Sequence, residues 1–168
     1  MLCRSGGIEP QREKRQTHIL LSASQLRSET APRPCSQCSV ASTVIKTVLI
    51  VDDSAYVRHA LCELFKREAD FEVCGEAENG KDAIKKAQDL CPDLIVLDLS
   101  MPVMNGFDAA RVLKRLMPTV PLIMYSAFGD KLAEKQARLI GISEVVSKAE
   151  NAGVLIHKAR GLLNSAAA

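Results

Sequence analysis

The sequence predicts an α/β domain, a five-stranded parallel sheet with helices on both faces. Three observations carry this. Short apolar runs rich in β-branched residues recur from Thr47 onward, each is followed by apolar residues at helical spacing, and Gly, Pro, Asn or Asp stands near most junctions. Strands that alternate with helices in this way require parallel pairing through right-handed crossovers, which puts helices on both faces.

Each element follows in order. "TVLIV" from Thr47 is a strand ended by Asp52, Asp53 and Ser54, and Val57, Ala60, Leu61, Leu64 and Phe65 then mark a helix. "FEVCGEA" is a weaker second strand. Asn79 can cap a helix whose apolar face is Ala83, Ile84 and Ala87 and which stops before Pro92. "DLIVL" is the third strand; after Gly106, a helix carries Phe107, Ala110, Leu113 and Leu116 and ends before Pro118. "VPLIMY" is the fourth strand, tolerant of Pro121 only at its start. Lys131 to Ile140 forms a helix closed by Gly141, "EVVS" is a short fifth strand, and Ala152, Leu155, Ile156, Ala159, Leu162 and Leu163 make the last helix. "VLIV" and "LIVL", apolar on both faces, are expected to be the most central strands.

A chain of 168 residues, 47% hydrophobic, has room for one sizeable core. The net charge of +2 supplies no field for direct binding of nucleic acid or of an anionic membrane. Residues 1–44, rich in Ser, Arg, Gln, Thr and Pro and containing "APRPCSQCS", are expected to form a disordered N-terminal extension, with the domain at 45–168. No apolar run approaches the roughly 20 residues that span a bilayer. "HILLSA" is too short for a secretory core. A cytoplasmic protein without membrane insertion is expected. The six cysteines are irregularly spaced, and Cys62 and Cys74 fall within a helix and a strand, so reduced thiols are expected. Cys35 and Cys38 have metal or redox spacing but no second close pair, and are read as incidental.

Ligands of an open parallel sheet bind beyond the carboxyl ends of its strands. Strand one ends in Asp52 and Asp53, strand three in Asp98, strand four in Ser126, and Lys148 follows strand five. One such residue could be ordinary turn chemistry. Three acids, a hydroxyl and a lysine on one sheet edge point instead to a site. Carboxylates crowded at 4 to 5 Å repel by roughly 3 to 4 kcal/mol per pair at an effective dielectric near 20. A hard divalent ion such as Mg²⁺ relieves this with oxygen ligands, and the lack of His or Cys disfavours zinc. Lys148 and Ser126 add donors for a phosphoryl group. Asp98, alone on its strand end, is the candidate nucleophile that would form an acyl phosphate. Pro102, Asn105 and Gly106 then turn the chain away from the site. His59, His157 and the pair Lys85 and Lys86 are read as surface residues, and Met101 and Met104 as gap fillers.

"LIVDDS", "LDLSMPVMNG", Ser126 and Lys148 together resemble the receiver domain of bacterial two-component response regulators, over Thr47 to Asn164. The resemblance implies the flavodoxin-like, CheY-like sheet order 2-1-3-4-5. It implies Asp98 as phosphoacceptor, Asp52 and Asp53 as the Mg²⁺-binding pair joined by Asp98 and the backbone carbonyl of Ser100, and Ser126, Lys148 and the backbone of Ala127 as contacts of the phosphoryl oxygens. Val145 departs from the family, which commonly has an aromatic switch residue there, and Ala149 stands where proline is usual, so aromatic-rotation signalling is not expected and a freer loop is.

The implied protein is a stand-alone receiver, not a turnover enzyme, that autodephosphorylates. Its expected partners are a sensor histidine kinase or phosphotransfer protein and an unidentified downstream protein, with the helix from Lys131, the strand to Ser147 and the last helix as the moving face; a weak homodimer through the last helix, strand and loop face is also open. Two alternatives are an aspartate-nucleophile phosphatase and a receiver-like module that binds without phosphorylation.

Overall fold

The computed structural model describes residues 44–127 and 131–165. The expected disorder of 1–44, Val44 apart, and the reading of Cys35 and Cys38 lie outside the described residues. Along the chain run β1 (Lys46–Val51), α1 (Ala55–Lys66), β2 (Phe71–Ala77), α2 (Gly80–Leu90), β3 (Leu94–Leu97), α3 (Gly106–Leu116), β4 (Leu122–Ser126), α4 (Lys131–Ile140), β5 (Glu144–Ser147) and α5 (Ala152–Ser165). The strands form one parallel sheet in the order β2-β1-β3-β4-β5. The order reverses between β1 and β3, which opens a crevice beyond their carboxyl ends.

Alternation along each strand separates two apolar layers. Leu49, Val51, Ile95, Leu97 and Met124 face the alanines of α2, α3 and α4, among them Ala83, Ala87, Ala109, Ala110 and Ala137. Such small side chains let the helices lie close to the sheet. Val48, Ile50, Val96, Ile123 and Val146 face α1 and α5, where Leu61, Phe65, Leu155 and Ile156 are buried. Phe65 and Phe71 meet edge to face with ring centroids 5.3 Å apart. The pairing of β1 with β2 slips by one residue, from Val48 opposite Val73 to Leu49 opposite Gly75.

Helix ends follow their local chemistry. Asn79 and Asn105 cap α2 and α3, their side-chain oxygens accepting from the amides of Asp82 at 3.0 Å and Asp108 at 2.9 Å. Gly141, at φ +91°, ends α4 as expected. Cys91 ends α2 in the left-handed region at φ +46°, where glycine or asparagine is the usual choice. Lys86 stays partly exposed on the helix face, as read, and also folds back, donating to the Glu76 carbonyl and, at 2.8 Å, to Asp82 Oδ2. Its aliphatic stem makes that reach possible.

Candidate functional site

The ends of β1 and β3 place two carboxylates side by side. Asp52 and Asp98 continue their strands by donating their amides to Ala77 O and Val51 O at 3.1 and 2.8 Å. The side chains are accordingly sunk, with Asp52 1% and Asp98 4% exposed. Asp53, next along the chain, faces solvent. One oxygen from each of Asp52, Asp53 and Asp98 lies within 4.8 Å of the others.

β4 and β5 bring in the cation. Ser126, 1% exposed, is the last residue of β4 and stands opposite Ser147. Its carbonyl accepts the Lys148 amide at 2.8 Å, which turns the lysine over the sheet edge. The Lys148 ammonium reaches Asp52 Oδ2 at 2.6 Å and Asp98 Oδ1 at 3.0 Å. Burial pushes the Asp98 carboxyl above its ordinary value; Lys148 pulls it down and Asp52 adds to the rise. Burial works to lower the Lys148 ammonium, but its two carboxylate partners outweigh that and hold it above its ordinary value. The lysine is thus a fixed positive charge. Three carboxylates against one ammonium leave the rim two negative charges, all on oxygen, with one acid open to solvent. That donor set fits a hard divalent cation such as Mg²⁺.

Asp52 and Asp98 are each oriented by a second donor. Ser54 N–H donates to Asp52 Oδ1 at 2.9 Å and Ser100 N–H to Asp98 Oδ2 at 3.1 Å. Ser100 and Ala127 are exposed at the same rim, after β3 and β4. The structure therefore brings all the sequence-predicted site residues to one edge.

Beyond Asp98 the chain makes a tight turn, in which the Met104 amide donates to Pro102 O at 2.7 Å around Val103 at φ +69°. A β-branched residue is strained there. Val103 is 72% exposed, so its side chain recovers little by burial. Val103→Asn is expected to raise stability by about 1 kcal/mol, read as a higher urea midpoint with unchanged slope. A lower midpoint would mean that Val103 contributes contacts the structure does not show. The loop is held at its far side by Gly80, whose amide donates to Met104 O at 3.2 Å. Met101 is buried and Met104 half-buried, as gap filling requires.

Sequence reasoning missed two neighbours. Tyr125, half-buried beside Ser126, has its ring centroid 6.0 Å from Lys148 Nζ, at the limit of a cation–π contact. Arg58 on α1 donates to the carbonyls of Asp52 and Asp53. Its place five residues beyond Asp53, between Val57 and the apolar positions that follow, is the only signal the sequence offers. Val145, where an aromatic is common in the resembled family, is half-buried against the α4 side of the sheet. Ala149, in the usual proline position, donates its amide to Ser147 Oγ at 3.2 Å, a bond proline could not make.

Among the described residues, no helix is long and apolar enough to cross a membrane. A profile of the response regulator receiver domain matches residues 48–160. The chain is 38% identical over 103 residues to the chemotaxis protein CheY of Thermotoga maritima, across 61% of this chain and 85% of that protein. It is 47% identical over 87 residues to a protein-glutamate methylesterase/protein-glutamine glutaminase of Pyrococcus abyssi, across 52% of this chain but 23% of that protein. The chain thus spans about a quarter of the length of that relative. The crystal structure of the response regulator domain of Thermotoga maritima CheB superposes with a TM-score of 0.68 at 30% identity, covering 71% of this chain and 97% of that one. A parallel sheet in the order 2-1-3-4-5, an acidic rim closed by a lysine, and a matching profile over most of the chain agree: it belongs to the response regulator receiver domain family.

Proposed function

We propose that the chain accepts a phosphoryl group on Asp98 from a sensor histidine kinase or phosphotransfer protein in the cytoplasm and signals through its surface to a protein target. The observation that carries this reading is the Lys148 ammonium shared between two buried carboxylates, Asp52 and Asp98, at a rim they form with Asp53. A carboxylate oxygen of Asp98 attacks phosphorus; the P–O bond forms as the donor's P–N bond breaks, and the departing imidazole nitrogen keeps the electron pair and takes up a proton. Lys148 holds a positive charge against the transferring oxygens, and the Ser126 hydroxyl and Ala127 N–H donate to them.

Receiver domains bind Mg²⁺ through this acidic pocket. In this chain Asp52, Asp53, Asp98 and the Ser100 carbonyl would hold it. When bound, the ion supplies positive charge for the acids and the phosphoryl oxygens. Receiver domains are signalling modules, and in this reading the chain turns over no external substrate. Phosphorylation adds up to about two negative charges at the rim, which biases a two-state equilibrium toward one surface. α4, β5 and α5 form that surface, and Leu132 and Leu139 of α4 are exposed on it.

Incubated with acetyl phosphate and Mg²⁺, the wild-type chain is expected to gain one acid-stable, base-labile phosphoryl group by intact mass, and Asp98→Ala none. Equal labelling of both would overturn the reading.

A further inference from the structure

We propose that Arg58 is a positioning residue for the acidic rim, aiming the Asp52 carboxylate through the peptide that joins Asp53 to Ser54. The inference rests on the reading of Asp52 and Asp53 as residues that hold Mg²⁺. Arg58 lies in the first half of α1 with its side chain 17% exposed. One guanidinium nitrogen, Nη1, donates to Asp52 O at 2.8 Å and to Asp53 O at 3.2 Å, while Nε donates to Glu76 Oε2 on β2 at 3.3 Å. The planar fork fixes these directions together, which a lysine ammonium cannot do.

A trans peptide is planar, with its carbonyl and N–H pointing opposite ways. Holding the Asp53 carbonyl on the Arg58 side therefore turns the Ser54 N–H away from Arg58. That N–H meets Asp52 Oδ1 at 2.9 Å. With Oδ1 occupied there, Oδ2 is the oxygen that meets Lys148 at 2.6 Å. Arg58 thus touches neither carboxylate group of the acidic pair, yet sets the peptide that orients one of them. The usual side-chain supports of such a turn are missing here: Ser54, the cap of α1, makes no side-chain bond into the helix, and the first turn of α1 carries no acid. Glu76 gives the guanidinium a further, more exposed partner on β2.

The test is a Mg²⁺ titration of the ¹⁵N-labelled full chain followed at the Ser54 and Leu99 amides, with urea denaturation and acetyl phosphate labelling in parallel. Arg58→Met is expected to weaken Mg²⁺ binding about tenfold, the lower end of the effect of removing a partner that orients a metal ligand. Its Ser54 amide should move in the absence of the ion. Its labelling should be slow at low Mg²⁺ and recover at high Mg²⁺, a split that lost scaffolding alone would not produce. Arg58→Lys, the milder change, should fall between the two. Lys86→Met, which removes a different donor to Glu76, the one to its backbone carbonyl, and lies off the β1–α1 turn, should keep the wild-type affinity. Wild-type Mg²⁺ affinity in Arg58→Met or in Arg58→Lys would overturn the inference, whatever the denaturation midpoint. A wild-type chain without any response to Mg²⁺ would overturn the underlying reading of the acids, and this inference with it.

Discussion

Replacing Lys148 with methionine is expected to slow phosphoryl uptake at Asp98 by about 10²- to 10³-fold, the effect of removing one preorganised charge-stabilising donor. Methionine keeps much of the stem and removes the ammonium that now lies 2.6 Å from Asp52 and 3.0 Å from Asp98. The two buried acids are then left to repel each other without a cation between them. A second effect follows at the level of folding. The Asp98 carboxyl already sits above its ordinary value because of burial, against the opposing pull of Lys148, so removing the lysine raises it further. A folded state that holds a proton more tightly than the unfolded chain gains stability at low pH and loses it as pH rises through the unfolded carboxyl value to the folded one. The variant should therefore melt at a higher temperature near pH 5 than near pH 7, and added Mg²⁺ should narrow the gap by replacing the lost charge. Labelling kinetics and thermal melts at the two pH values read both effects. A variant labelled at the wild-type rate would remove Lys148 from the mechanism.

Gly106→Ala is expected to destabilise the fold by about 3 kcal/mol, the upper end of ordinary overpacking costs. A Cβ at this position would stand 2.1 Å from Asp98 O, 2.9 Å from Leu99 Cα and 3.0 Å from Asp98 C. All three are backbone atoms, so no side chain can rotate away. The chain must either part α3 from the end of β3 or tilt the Asp98 peptide. Both routes move the carboxylate, and a lower urea midpoint should come with slower labelling at saturating Mg²⁺. An unchanged midpoint would show that the approach of α3 to β3 is looser than described. The same contact explains why glycine follows the Asn105 cap: the first residue of α3 rests on the backbone of Asp98, and its amide donates to Leu99 O at 2.9 Å.

The strands and the polar residues at their ends were legible because each is a local statement. Four apolar residues in a row, as in "LIVL", can only be satisfied by burial on both faces, and β3 is indeed the middle strand with every residue buried. Asn79 and Gly141 mark helix ends through their own backbone and side-chain chemistry, so they needed no tertiary knowledge. Arg58 and Lys86 were not legible for the opposite reason. Long flexible side chains look the same in sequence whether they extend into water or fold back to a carbonyl several residues away, and only the packed neighbour decides. Val103 and Cys91 escaped because they adopt left-handed backbone angles that their types disfavour, so propensity argued against the observed conformation. Val145 shows a further limit. Its sequence reading removed the usual aromatic from β5, whereas the described structure shows an aromatic, Tyr125, near the lysine from the adjoining strand.

The one-residue slip between β1 and β2 reaches into the rim by parity. Before it, Val73 shares the α1 face with Val48; after it, Gly75 lies against Leu49 on the opposite face and Glu76 is paired with Ile50. Without the extra residue on β2, Glu76 would align with Val51 and project toward α2, on the wrong side of the sheet to meet Arg58. A single supernumerary residue at the edge of the sheet thereby determines which way an acid points, and through Arg58 and one peptide plane, how a buried carboxylate on the neighbouring strand is aimed.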